Sequence, residues 1–331
     1  MKRENILGRA NVEDTPQLEA YYRELEGRSL GALWAVANEI EPWYPQPKSV
    51  PTIWKWREVE PLVRRAPALV SAEKAARRVV MLVNPGRKEW SAAVGLLYTG
   101  IQVMDPGEST TAHRHQASAL RFVMEGRGAY TVVDGERMAL GARDFVLTPN
   151  GTWHDHGVEA DGTQCVWQDG LDIPLMNSLD ANFFEVHPQA VQTPLAVPAP
   201  REGWSKPYSP SFLYKWDECY KALKRDGAVY AYRNPLTGGD VMPTMGARLE
   251  LIRSGGTARR HTGSVICQVA TGRGWSEVGG QRFDWEEKDV FCVPSWTPYR
   301  HGAAGGEDAV LFSFNDFPAM KALALWREEP A

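Results

Sequence analysis

Two kinds of hydrophobic spacing divide this chain. Over residues 1–45 the apolar positions fall near the helical period, as in LEAYYRELEGRSLGALWAVANEI. A helix start precedes them at Asp14-Thr15-Pro16, with Asp14 or Thr15 as cap and Pro16 in the first turn. Pro42, Pro45, Pro47 and Pro51 close the segment, because proline removes a backbone donor and clashes with the preceding turn. A second helical stretch covers 59–69, then 79–83 reads as a buried strand and Asn84-Pro85-Gly86 as a turn. From Leu96 onward the runs shorten and glycine punctuates them, which predicts strands over 96–104, 120–124, 128–133, 144–147 and 164–168. Asp134-Gly135 between Val133 and Glu136 is a type I′ hairpin signal. Many short strands with frequent turns indicate a sandwich or barrel.

The pattern then repeats. TAHRHQASALRFVMEGRG at 111–128 has its echo in TARRHTGSVICQVATGRG at 257–274, and RDFVLTPNGTWHDHG has a weaker one in KDVFCVPSWTPYRHG. Two copies of one β-barrel follow. The expected division is a helical segment over 1–75, a first barrel over 76–187, a proline-rich linker over 188–240 with a short helix near 214–223, and a second barrel over 241–331.

Composition narrows the class. The 331 residues are 43% hydrophobic and 24% charged, as in an ordinary globular protein. A net charge of −4 and a pI near 6.0 argue against a nucleic-acid partner. No apolar run reaches the ~20 residues of a membrane span, and MKRENILGRANVEDTPQ holds no signal core. Cys165, Cys219, Cys267 and Cys292 are widely spaced, as expected of reduced thiols in a cytoplasm.

Four of the seven histidines fall in one stretch as two HxH pairs, His113/His115 and His154/His156. Side chains repeat every second residue on a strand, so each pair leaves one face, and neighbouring antiparallel strands can bring the pairs together. Three imidazoles leave about half of an octahedral sphere open for a substrate and a gas. Spacing alone leaves open which three of the four would bind, His154 or His156 completing a set with the first pair. Zinc would accept the same donors. In the second copy Arg259 replaces the first histidine and none stands where His154 would fall, so His261 and His301 are expected to hold no metal. Arg121 shares strand parity with His113 and His115 and is placed to pin an aromatic carboxylate; a surface salt bridge is the plainer reading. Tyr98, Gly100 and Gln102 share one strand face.

The signposts VPTIWKW, RRVVMLVNPG, LYTGIQ, PGESTTAHRHQASALRFVMEG, PNGTWHDHG, WQDGLDIPL, NPLTGGDVMPTM and VPSWTPYRH resemble the two-domain cupins, and among them the gentisate 1,2-dioxygenase group with its salicylate-cleaving relatives. The region after HxH, Gln116 to Leu120, lacks the glutamate of general cupins, as this group does. The resemblance implies a mainly β fold of two double-stranded β-helix (jelly-roll) barrels, often a homotetramer, with Fe(II) on His113, His115 and His154. It implies an aromatic acid and O2 as reactants, and ring opening between the carboxyl- and hydroxyl-bearing carbons. His156 becomes an acid/base partner, Gln102 a donor to the chelating oxygens, Gly100 a gap for the ring, and Tyr98 a ring contact. Arg77 joins the pocket near the carboxylate, and Asp169 orients the ligand shell or an arginine. Gentisate is the expected substrate, with Tyr98 in place of a tryptophan. Salicylate or a 5-substituted salicylate is the alternative, since Val79 is apolar. A non-catalytic ligand-binding cupin is the reading from another class.

Overall fold

The computed structural model describes residues 12–13, 15–87, 92–195, 212–253 and 255–331. Asp14 and residues 196–211 of the expected linker lie outside them, as do residues 1–11. The chain forms two compact units, Met1–Gln46 and Pro47–Ala331. The first holds α1 (Pro16–Glu26) and α2 (Leu33–Ile40). Thr15 caps α1, its hydroxyl accepting from the Leu18 N–H at 3.2 Å. The helical stripe read as continuous is broken between Gly27 and Ala32; Gly27 closes α1 and Ser29 adopts a positive φ of 58°.

The second unit begins with β1 (Thr52–Trp54), α3 (Trp56–Leu69), α4 (Ala72–Ala75) and β2 (Val79–Met81). Eight strands follow: β3 (Tyr98–Met104), β4 (His113–His115), β5 (Ala119–Glu125), β6 (Ala129–Val133), β7 (Glu136–Leu140), β8 (Phe145–Thr148), β9 (His154–Val158) and β10 (Cys165–Leu171). Then come α5 (Ile173–Ser178), β11 (Phe184–Val186), β12 (Leu213–Tyr214), α6 (Trp216–Asp226) and β13 (Val229–Ala231). The second set is β14 (Gly246–Ile252), β15 (Arg259–His261), β16 (Val265–Thr271), β17 (Arg273–Val278), β18 (Gln281–Glu286), β19 (Val290–Val293), β20 (Tyr299–Ala303) and β21 (Ala309–Asn315), closed by α7 (Phe317–Ala322) and β22 (Glu328–Pro330).

Each set folds into a six-stranded and a five-stranded antiparallel sheet. The first pair has orders β12-β8-β5-β10-β3-β2 and β11-β4-β9-β6-β7; the second has β1-β19-β16-β21-β14-β13 and β18-β17-β20-β15-β22. The two orders match strand for strand, so the internal repeat covers the outer strands as well as the motifs. The hairpin between β6 and β7 turns at Asp134 and Gly135, both at positive φ (45° and 83°), as a type I′ turn requires.

The outer strands are exchanged. β1 pairs with β19 of the second set, yet α3 behind it packs on β3 of the first. β12 pairs with β8 of the first set, while α6 behind it packs on β13 and β14. Both helix starts are held alike. The Trp56 N–H donates to Asp289 at 2.7 Å and the Trp216 N–H to Asp144 at 2.9 Å, with Lys55 and Lys215 pairing the same carboxylates. These aspartates supply the N-terminal acceptor that neither Lys55 nor Lys215 offers as a cap. Strand parity divides the six-stranded sheets: in β5, Leu120 and Phe122 face one side and Arg121 the other. Phe122 stacks on Phe312 with centroids 4.1 Å apart, and Phe145 joins at 5.3 Å, so the sheets pack through an aromatic core. Gly170 makes space there, since a Cβ would come within 2.6 Å of Phe314.

Candidate metal centre and its cavity

Register brings the two HxH pairs together. His113 stands opposite His154 across β4 and β9, and His156 opposite Thr131 across β9 and β6. All four rings are buried. Centroids lie 4.4 Å apart for His113 and His154, 4.7 Å for His115 and His154, and 5.7 Å for His113 and His115.

Three of the rings share one arrangement. Nδ1 of His113 donates to the Thr111 carbonyl at 2.7 Å, that of His115 to Ala117 at 2.7 Å, and that of His154 to Thr152 at 2.9 Å. A carbonyl only accepts, so the ring proton is on Nδ1 and the lone pair on Nε2. This is how proteins orient imidazole ligands. His113 Nε2 is buried with no hydrogen-bond partner, an open donor atom of the kind a metal satisfies. Burial, then the Arg77 charge, pushes His113 down to about 3 and His115 to about 4; burial also holds His154 well below the usual range. The rings stay neutral and ligand-ready at pH 7.

His156 is held differently. Arg121 presents Nη1 and Nη2 at 2.9 and 3.1 Å to its two ring nitrogens, and a neutral imidazole has one lone pair to accept with. By proximity alone, nitrogens of His113, His154 and His156 form a group within 4.8 Å, with His156 where His115 was expected. Hydrogen bonding sorts them the other way, because the His156 lone pair already faces a guanidinium.

A cavity of about 400 Å³ opens beside the cluster and is lined by Arg77, Tyr98, Gln102, Arg121 and Asp169 together with His115, His154 and His156. Of the residues expected at the site, His113 and Gly100 are not among those lining it. Arg121 is largely committed: Nε donates to Asp169 at 2.9 Å and Nη1 to Thr131 at 3.0 Å, besides the bonds to His156. Burial pushes Arg121 down and Asp169 up, each opposed by the other's charge. Arg77 has no ion-pair partner among the described residues, and its guanidinium lies 5.4 Å from the Phe184 ring. It is the freer cation for a carboxylate. Gly100 makes room for its neighbours: a Cβ there would come within 2.5 Å of Val79 Cγ1 and 3.0 Å of the Tyr98 hydroxyl. Gln102 stands opposite Val79, and both its amide atoms are buried without partners.

Sequence reasoning missed three contributors. Ala76 has φ 54° and ψ −43°, and the Arg77 N–H returns to the Ala75 carbonyl at 2.5 Å, a rare strained γ-turn that sets Arg77 at the cavity wall. Phe184 on β11 pairs with His115 and stacks on His113, centroids 5.2 Å apart. Thr131 anchors Arg121. None carries a local motif; the positive φ of an alanine and a pairing across distant segments are invisible in one sequence.

Known proteins resemble this chain in sequence and in fold. The cupin domain family matches residues 100–174. Gentisate 1,2 dioxygenase 1 of Aquipseudomonas alcaligenes is 36% identical, covering 95% of this chain and 96% of that protein. The 5-aminosalicylate 1,2-dioxygenase of a Comamonas species is 34% identical over 96% of this chain and 92% of its own length. Among solved structures, salicylate 1,2-dioxygenase from Pseudoaminobacter salicylatoxidans with gentisate superposes with a TM-score of 0.87 at 33% identity, covering 97% of this chain and 95% of that one. A tryptophan-to-tyrosine variant of that enzyme, also with gentisate, has a TM-score of 0.87 at 32% identity, covering 100% of this chain and 99% of that one.

Proposed function

The chain belongs to the gentisate/salicylate 1,2-dioxygenase family of cupins, and on that premise we propose that it opens gentisate to maleylpyruvate with Fe(II) held by His113, His115 and His154. It is an oxidoreductase of the ring-cleaving dioxygenase type. The observation that carries the ligand set is the shared pinning of three Nδ1–H groups, which leaves the lone pair of each of these rings on Nε2. Fe(II) held by these residues would supply the redox path for electron density from ring to oxygen, which redox-inactive zinc would not.

The protein's own groups bind and orient. Arg77 takes the substrate carboxylate through a charge-assisted bond. Gln102 turns its unpartnered amide to the chelating oxygens, and Tyr98 and Val79 bound the ring. Arg121 shifts one N–H from His156 to the substrate, while Asp169 and Thr131 keep the rest of the side chain in place. That exchange frees a His156 nitrogen to take the phenolic proton and return one later. Burial, then Arg121, holds His156 well below the usual range, so the ring is neutral, and its basicity rises toward that of a proton acceptor only as Arg121 turns to the substrate.

The second reading keeps the reaction and changes the substrate to a 5-substituted salicylate, on the strength of the apolar Val79 in the cavity wall. The division of the chain at 75, 187 and 240 belongs to the same proposal. So do a cytoplasmic location and a homotetramer, for which the exposed Phe183, Phe184 and Val186 offer contact surface. Among the described residues no helix is long and apolar enough to cross a membrane. Oxygen uptake by the Fe(II)-loaded protein across gentisate, salicylate and 5-amino- and 5-nitrosalicylate ranks the substrates. No uptake with any 2-hydroxybenzoate refutes the function, and light scattering in solution checks the tetramer.

A further inference from the structure

Each imidazole of the pinned set hangs on a peptide unit that is itself held from its other side. The Thr111 carbonyl accepts from His113 Nδ1, and the N–H of the same unit, on Ala112, donates to the Ala190 carbonyl at 2.7 Å. The Thr152 carbonyl accepts from His154, and the Trp153 N–H donates to Asp134 Oδ1 at 2.8 Å. The Ala117 carbonyl accepts from His115, and the Ser118 N–H donates to Asp172 Oδ1 at 2.7 Å. A peptide unit is planar, so a bond at its N–H fixes the direction of its C=O. A charged acceptor at the N–H also polarises the unit and strengthens the bond that the carbonyl accepts.

Asp172 differs from the other two holds because the second barrel completes it. Its carboxylate is buried, and Oδ2 accepts from the hydroxyl of Thr244, two residues before β14. The backbone closes the same pair a second time, with the Asp172 N–H donating to the Ser118 carbonyl at 3.3 Å. Burial raises Asp172 to about 6, with the Thr244 hydroxyl the first of the bonds opposing it. The second barrel repeats the device. The Ser264 N–H donates to Asp316 Oδ1 at 2.7 Å, and the Gly263 carbonyl of that peptide unit accepts from His261 Nδ1 at 2.9 Å. The Leu96 N–H, two residues before β3, donates to Asp316. Each barrel's carboxylate is thus clasped by the segment that enters the other barrel. The copies differ at one point: the second clasp is closed by a main-chain N–H, and the first by a side-chain hydroxyl.

We propose that Thr244 is a positioning residue for the metal, holding His115 from the second barrel through Asp172 and the peptide unit between Ala117 and Ser118. The inference rests on His115 as a ligand. Removing the hydroxyl takes a donor from a buried carboxylate, so Asp172 gains a proton or turns toward another donor. The Ala117–Ser118 unit then loses its charged acceptor, the bond from His115 Nδ1 weakens, and the ring tilts more freely. A weakened outer bond lowers both the orientation and the basicity of a ligating imidazole. The second barrel has Arg259 and Tyr299 in the register of His113 and His154, yet it keeps a part in the metal site through this contact.

The rate at which the full-length, Fe(II)-loaded protein yields its iron to excess chelator tests the hold, read anaerobically by the absorbance of the chelate and without substrate. Losing an outer partner of a ligating histidine costs about 10–100-fold in metal affinity, and Thr244 lies further out, so Thr244→Val should release iron roughly three- to tenfold faster than the parent. Thr244→Ser restores the hydroxyl and should return the parent rate. Thr262→Val weakens the second barrel elsewhere, at the bonds to the Leu325 carbonyl and from the Arg327 N–H, and should leave release unchanged. A parent rate in Thr244→Val, or equal acceleration in Thr262→Val, overturns the proposal. Should Thr244→Val not fold, Asp172→Asn keeps an acceptor for the Ser118 N–H without the charge. Release should quicken there too, and a parent rate overturns the proposal. His115→Ala separates the hold from the ligand set beneath it. If that variant retains iron, the ligand is refuted; if it loses iron while Thr244→Val keeps the parent rate, only the hold is refuted.

Discussion

Replacing Arg77 with glutamine separates substrate binding from stability. The guanidinium has no ion-pair partner among the described residues, and burial pushes its pKa down, with Asp169 only partly opposing. Its removal leaves Asp169 still bonded to Arg121 at 2.9 Å, so no buried charge is orphaned. Stability should stay within about 0.5 kcal/mol of the parent. What is lost is the charge-assisted bond to the substrate carboxylate, about 1.5–3 kcal/mol, or roughly a ten- to hundredfold rise in KM for gentisate. Arg121→Gln should behave in the opposite sense, since it strands a buried Asp169 carboxylate at a cost of about 3–5 kcal/mol. Initial rates by oxygen electrode, normalised to bound iron, and urea unfolding of both variants read the two effects. Hydroquinone lacks the carboxylate, and its inhibition constant should not move in Arg77→Gln. An unchanged KM with a clear loss of stability in that variant would refute the assignment of Arg77 as the carboxylate anchor.

His115→Ala should lose bound iron and turnover together, whereas His156→Ala keeps its iron and loses about 10²–10⁴ in kcat; iron by atomic absorption decides, and an iron-free His156→Ala protein moves the ligand set to His113, His154 and His156. Gly100→Ala should cost about 1–3 kcal/mol through its contact with Val79, and Val79→Ala in the same chain should recover most of it; additive losses in denaturant midpoints would exclude that contact. Burial raises Asp316 from 3.8 to about 7, so between those values the native state carries a proton that the unfolded chain lacks. Its contribution is complete below 3.8 and fades as pH rises to about 7, with a slope of about −1.4 kcal/mol per pH unit. Asp316→Asn keeps the acceptor for the Ser264 N–H and should lose that slope in urea melts from pH 5 to 8; parallel profiles for the two proteins would count against it.

Local chemistry was enough to read the strands, the helix cap at Thr15, the Asp134-Gly135 turn and the parity of each HxH pair, because these depend on backbone geometry within a few residues. The internal echo likewise exposed two barrels. Long-range placement was not legible. That β1 and β12 cross to opposite barrels follows from pairings between residues far apart in sequence, which no local period encodes. Arg77 and Arg121 look alike as letters, yet one is committed to Asp169, Thr131 and His156 while the other is left open by a γ-turn at Ala76. Spacing put four imidazoles on facing strands. Only the folded surroundings, three backbone carbonyls for one group and a guanidinium for the fourth, decided which lone pairs remain free, since a nitrogen binds a metal only if nothing nearer has claimed it.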